Sequence, residues 1–253
     1  MRAFARQDAA FLYGQGVKMI VVACNTASAF ALEYLQDAFP VPMLGVIEPG
    51  IAQALASSRG GPIGVIGTSG TVRSERYQEG LARAVPRERI LARECPLFVP
   101  LAEEGMIDHP ATELVVGEYL APLRGAGIDT LILGCTHYPL LKGAIGRFMG
   151  PRVALVDSAE TLAEAAAREL AAAGLARPGN GAAGAGTAGA AAARGGADAR
   201  GAGRLSFYLS DIPWKFAEIG ARFLGQPIDV VEQVNLDEAE HAGRLVRNGK
   251  GAE

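Results

Sequence analysis

The chain has 253 residues, 49% of them hydrophobic and 20% charged, with a net charge of −3. That length holds one large domain or two small ones around a sizeable core, and the near-neutral balance excludes non-specific binding to a nucleic-acid backbone. Three cysteines, Cys24, Cys95 and Cys135, form an odd set with no Cys-x-x-Cys spacing, which speaks against a disulfide framework or a zinc site and fits a reducing cytoplasm.

The amphipathic start lacks the apolar core of a signal peptide. No apolar run approaches a transmembrane length. Residues 2–14 read as a helix with Phe4, Ala5, Phe11 and Leu12 on one face, ended by Gly14-Gln15-Gly16. A strand is predicted at 18–23, a helix at 27–38 and a short strand at Met43–Ile47. Pro49 suits the first position of a helix running to 57. The run Ile63–Ile66 predicts a strand, and Gly67-Thr68-Ser69-Gly70-Thr71 leads into a helix through 84. Further strands are expected at Ile90–Arg93, Thr130–Leu133 and Val153–Val156, with helices at 111–124, 139–148 and 159–173.

This alternation predicts an α/β fold of two similar domains, with parallel sheets flanked by helices and an active site in the cleft between them. One domain is expected to combine residues 1–46 and 158–253; the other covers 47–157. Between 178 and 203, 20 of 26 residues are Ala or Gly. Such a stretch cannot bury enough apolar surface to offset its ordering entropy, so it reads as a disordered insertion. A strand is expected again at Leu205–Leu209, then a helix with Trp214, Phe216 and Ile219, then a last strand at Ile228–Val230.

Two of the predicted strands end in a thiol. Met19-Ile20-Val21-Val22 runs into Ala23-Cys24-Asn25-Thr26, and Thr130-Leu131-Ile132-Leu133 runs into Gly134-Cys135-Thr136-His137-Tyr138-Pro139. Ligands of open α/β sheets bind at the carboxyl ends of strands. A helix N-terminus and loop N–H groups there lower a thiol pKa from about 8.5 toward neutrality. Two facing thiols suit an enzyme that removes a proton from one face of a carbon and returns one to the other. Asn25, Thr26, Thr136 and His137 are side chains suited to a small polar ligand, and His137 is placed to exchange protons with Cys135.

These motifs resemble the two signatures of bacterial glutamate racemase, in the aspartate/glutamate racemase superfamily. Gly45-Val46-Ile47-Glu48-Pro49-Gly50 is similar to its interdomain crossing, and Ile66-Gly67-Thr68-Ser69-Gly70-Thr71-Val72, with Ser74 and Tyr77, to its substrate loop. Cys95-Pro96-Leu97-Phe98-Val99-Pro100-Leu101-Ala102-Glu103-Glu104-Gly105 and Val156-Asp157-Ser158-Ala159 extend the likeness, which covers about 1–173 and 205–235. The resemblance implies cofactor-independent and metal-free interconversion of L- and D-glutamate, supplying D-glutamate for peptidoglycan and so for cell shape. It implies Cys24 as the group acting on the proton of D-glutamate, Cys135 on that of L-glutamate, and His137 assisting Cys135. Asn25, Thr26, Thr68, Thr71, Thr136 and His137 would hold the substrate, Glu103 or Glu104 would help poise a base or, as an equal reading, both would be exposed surface glutamates, and Cys95 would be structural. No nucleic-acid or membrane partner is expected, and a homodimer is compatible with the family.

The family's opening strand, ending in Asp-Ser-Gly-x-Gly-Gly, and its Pro-Tyr-Gly loop do not occur in this chain. It begins within the helix preceding the first cysteine motif, as expected of a start assigned too late or of a truncated form. Strand edges and apolar helix faces near Met19–Val22 are then expected to be exposed. Two alternatives remain at this point: a racemase of aspartate or a related substrate such as a hydantoin, and a non-catalytic truncated scaffold. The Thr-His-Tyr-Pro and Cys-Pro-Leu-Phe-Val-Pro stretches favour glutamate, and retention of both thiols favours catalysis.

Overall fold

A computed structural model describes residues 1–176, 205–211, 214–228 and 230–236. The Ala/Gly stretch at 178–203 lies outside the described residues. The chain divides into two compact units, Met1–Leu170 and Ala171–Glu253.

The first unit opens with α1 (Arg2–Gly14), β1 (Ile20–Val22), α2 (Asn25–Ala38), β2 (Met43–Gly45) and α3 (Ile47–Ser57). Then come β3 (Ile63–Gly67), α4 (Ser69–Arg73), α5 (Arg76–Ala82), β4 (Ile90–Glu94), α6 (Phe98–Glu103) and α7 (Pro110–Gly125). It ends with β5 (Thr130–Gly134), a 3₁₀ turn at Tyr138–Leu141, α8 (Lys142–Met149), β6 (Ala154–Asp157) and α9 (Ser158–Ala172). All its strand pairs are parallel: β1 with β2, and a four-stranded sheet ordered β4-β3-β5-β6. The expected α/β architecture with helix-flanked parallel sheets is present.

Both faces of the larger sheet are covered, which is why its central strands are continuously apolar. Alternate residues go to opposite cores. Ile66, Leu131 and Leu133 pack with Phe98, Val116, Leu120 and Ile145 from α6, α7 and α8. Ile63, Val65 and Ile132 pack with Ile47, Ala54, Tyr77 and Leu81 from α3 and α5. Each fully buried aliphatic side chain contributes about 1.5–3 kcal/mol. A smaller core joins Ile20 to Ala5, Ala9, Ala31 and Leu35. On the surface of that part, Phe4, Val21, Phe30 and Tyr34 are exposed.

The order β4-β3-β5-β6 matters for function. From β3 the chain moves one way to β4 and later returns to β3's other side as β5, so the order reverses between β3 and β5. Crevices at the carboxyl ends of strands form at such reversals. Strands β3 and β5 run in register to Gly67 and Gly134 at that end. A Cβ on Gly134 would lie 2.6 Å from the Ile66 carbonyl oxygen, so only glycine permits the two strands to stay this close before Cys135.

Several boundaries differ from the sequence reading. The helix expected through 84 is two helices, α4 and α5, divided at Glu75, whose φ of 57° is left-handed. Helix α3 starts at Ile47, placing Pro49 within its first turn, where its missing N–H is still without cost. The helix expected at 139–148 begins with the 3₁₀ turn, and α6 was not foreseen.

The second unit contains β7 (Tyr208–Leu209), α10 (Trp214–Leu224) and β8 (Glu232–Gln233), with β7 and β8 parallel. Its last strand thus lies beyond the expected Ile228–Val230, where Ile228 instead packs against the backbone at Gly220. No described helix is long and apolar enough to cross a membrane.

Candidate active site

Cys24 ends the loop after β1 and is the N-cap of α2. Its exposed sulfur accepts the Ala27 N–H at 3.5 Å, at the positive end of the helix. Ser28, one turn on, donates to the Val22 carbonyl at 2.8 Å and accepts the Val46 N–H at 3.3 Å, fixing α2 to the strand that delivers the thiol.

Thr26 then reaches the loop after β3. The hydroxyl oxygens of Thr26, Thr68 and Thr71 form a triangle with sides of 3.0, 3.0 and 3.1 Å. Thr68 is also the N-cap of α4, accepting the Thr71 N–H at 3.3 Å. Each hydroxyl both donates and accepts, so the ring can redirect its protons toward a carboxylate. Asn25 is buried; its Oδ1 accepts from the Tyr77 hydroxyl at 2.7 Å, and its Nδ2 has no hydrogen-bond partner among the described residues.

Cys135 follows β5 and is buried. Burial pushes its thiol up to about 11, the nearby Cys24 sulfur and Glu103 carboxylate adding to the rise, against partial compensation from the backbone N–H groups of His137 and Tyr138. Asn25, next to Cys24, and Gly134, next to Cys135, both lie against the Tyr77 side chain, which brings the two thiol loops into one region. The Cys135 Sγ lies 3.8 Å from His137 Nδ1, and His137 Nε2 lies 3.2 Å from Glu103 Oε1. A carboxylate on Nε2 selects the tautomer with its proton there, leaving Nδ1 to accept from the thiol. Tyr138 anchors this loop: its ring packs edge-on against Phe98 at 5.2 Å, and its hydroxyl donates to the Cys95 carbonyl at 2.9 Å. Cys95 is fully buried, its thiol pushed by burial up to about 12.

Of the residues nominated from sequence, Cys24, Asn25, Thr26, Thr68 and Thr71 meet through α2 and the loop after β3, while Cys135 and His137 meet through the loop after β5. Thr136 is half-buried between those two. Sequence reasoning left Glu103 and Glu104 undivided; Glu103 is paired with His137 because α6 buries Phe98 and Ala102 and turns Glu103 toward the histidine loop. The apolar residues four apart, Phe98 and Ala102, are the signal that identifies this short helix.

The two thiols should differ sharply in reactivity. With a pKa of about 11, Cys135 is thiolate at only about one part in a thousand near pH 8. Brief iodoacetamide treatment near pH 8 should therefore label exposed Cys24 and leave Cys135 and Cys95 nearly unmodified by peptide mass, with Cys135 labelling rising about tenfold per pH unit up to its pKa. Equal labelling of Cys24 and Cys135 would contradict the burial described.

The family described as Asp/Glu/Hydantoin racemase matches residues 3–166. A glutamate racemase of Geobacter metallireducens is 44% identical over 234 residues, covering 92% of this chain and 79% of that protein. The structure is similar to that of Francisella tularensis glutamate racemase in complex with D-glutamate, with TM-score 0.78 and 32% identity, covering 94% of this chain and 81% of that one. It is also similar to Thermus thermophilus glutamate racemase in complex with beta-chloro-D-alanine, with TM-score 0.74 and 40% identity, covering 94% and 80%. Sequence and fold therefore agree over nearly the whole chain, and the chain belongs to the glutamate racemase family within the Asp/Glu/hydantoin racemases.

Proposed function

We propose that this chain interconverts L- and D-glutamate by proton transfer between two cysteines, supplying D-glutamate for peptidoglycan. The observation that carries the mechanism is the pair of thiols at the carboxyl ends of β1 and β5, whose neighbours Asn25 and Gly134 both lie against Tyr77. From D-glutamate, the Cys24 thiolate takes the α-proton, the C–H electron pair passes into the α-carboxylate as an enediolate, and the Cys135 thiol protonates the opposite face. Its raised pKa keeps Cys135 protonated and ready for this role. From L-glutamate the direction reverses. Cys135 first yields its proton to His137 Nδ1, while Glu103 holds the other ring nitrogen and stabilises the imidazolium, and the exposed Cys24 sulfur takes a proton from solvent. The Cys135 thiolate then removes the α-proton, the Cys24 thiol protonates the opposite face, and His137 releases its proton to solvent.

The enediolate carries more charge on its carboxylate than the substrate does. Donors already fixed around that carboxylate stabilise the transition state most. The Thr26–Thr68–Thr71 ring and Thr136 are assigned that task, and Asn25 is assigned to hold a substrate carboxylate equally in both states. Glutamate is favoured over aspartate by the names of the similar proteins.

The test is turnover without added cofactor, followed by chiral chromatography from each pure enantiomer. Glutamate should approach an equal mixture from both sides, with aspartate slower by about 10–200-fold, the usual effect of one missing methylene. Faster turnover of aspartate, or none of glutamate, would overturn the reading.

A further inference from the structure

Asn25 stands between the first thiol and the hydroxyl ring, and a fully buried phenol holds its amide. Tyr77, on α5, is 0% exposed, and its hydroxyl donates to Asn25 Oδ1 at 2.7 Å. The Tyr77 ring occupies space that two glycines leave open. A Cβ on Gly50 would lie 3.2 Å from the Tyr77 hydroxyl oxygen, and one on Gly134 would lie 3.4 Å from its Cε2. Tyr77 thus touches the backbone just before Cys135 and the side chain just after Cys24, joining both thiol loops from the core side.

The direction of the hydrogen bond has a consequence. A buried phenol proton needs an acceptor, and Asn25 Oδ1 supplies it. Turning the amide over would bring Nδ2 to the phenol and leave the carbonyl oxygen on the other side, where it would repel a carboxylate. As observed, Nδ2 is the free end, buried and without a partner among the described residues. Burial, with the charges of Glu48 and Cys135 adding, raises the Tyr77 phenol far above its ordinary value, so it remains a donor across the working pH range. We propose that Tyr77 is a positioning residue for substrate: its hydroxyl locks the Asn25 amide in the orientation that offers Nδ2 to a carboxylate of the bound amino acid. Nδ2 is closed to solvent as well as unpaired, so the amide is already set before a ligand meets it.

This inference rests on the glutamate racemase reading. Its test compares wild type, Tyr77→Phe, Asn25→Ala and the double variant, measuring kcat and KM for both enantiomers. Tyr77→Phe keeps the ring and removes the lock, so KM should rise about tenfold or more while kcat changes less, the pattern of a lost contact that serves substrate and transition state alike. In the Asn25→Ala background, Tyr77→Phe should change KM by less than about twofold, because the group it acts through is gone. Gly50→Ala crowds the phenol from the α3 side and should raise KM in the same direction, giving a second route should Tyr77→Phe fold poorly. An unchanged KM in Tyr77→Phe, or equal Tyr77→Phe effects in both backgrounds, would overturn the inference while wild-type turnover left the racemase reading standing. Absence of glutamate turnover by the wild type would overturn both.

Discussion

Cys24→Ala and Cys135→Ala are each expected to reduce glutamate racemisation by about 10⁴-fold or to below detection. In the proposed mechanism each thiol serves one face of the α-carbon, and no other group is assigned its proton transfer. L- and D-glutamate have equal energy, so kcat/KM must fall equally in both directions for either variant. The fold should survive. Cys24 is exposed, and exchanging the small buried Cys135 for Ala removes one sulfur and costs on the order of 1 kcal/mol. Circular dichroism and a melting curve close to wild type would show that the loss is chemical. Substantial racemisation by either variant would remove that cysteine from the mechanism.

The second large effect is expected at the histidine relay. His137→Asn should lower kcat/KM by about 10²–10⁴-fold in both directions, and Glu103→Gln by less, because the glutamate holds the ring but does not itself take the proton. The two directions should part in their isotope effects. With Cys135 made slow, α-deuterated L-glutamate should show a larger isotope effect than wild type, since its C–D bond breaks in the limiting step. α-Deuterated D-glutamate should show a smaller one, since its bond breaks at the still-fast Cys24. Equal isotope effects for the two enantiomers would place His137 outside the Cys135 step.

The parts of this molecule legible in the sequence are those whose signal is local. Leu131–Gly134 and Ile63–Gly67 are apolar throughout because helices cover both faces of their sheet, and such runs read plainly as buried strands. Cys135 after β5, Cys24 after β1 and the hydroxyl-bearing loop after β3 were legible for the same reason: a strand must end there, and polar side chains gather at its end. What was not legible depends on contacts distant in sequence. Nothing in Ser74-Glu75-Arg76 marks the left-handed residue that splits α4 from α5. Helix α6 is only six residues long and carries Pro100 inside it, so its sequence does not announce a helix, and without it Glu103 could not be told from Glu104. The last strand is two polar residues, Glu232–Gln233, with no apolar alternation to announce it. The Tyr77–Asn25 bond joins residues 52 apart; both positions fell within recognised motifs, but their pairing exists only in the folded chain.

The central claim is that each thiol owns one face of the substrate, and α-proton exchange in deuterated water with the single-cysteine variants tests it most directly. Cys135→Ala retains Cys24, whose exposed sulfur can remove the α-proton of D-glutamate, exchange it with solvent and return deuterium to the same face. The account predicts that this variant incorporates deuterium into D-glutamate without racemising it and leaves L-glutamate unlabelled. Cys24→Ala should do the reverse, more slowly, because Cys135 is buried and exchanges through His137. Labelling of both enantiomers by either variant, or of the opposite enantiomer in each, would contradict the account.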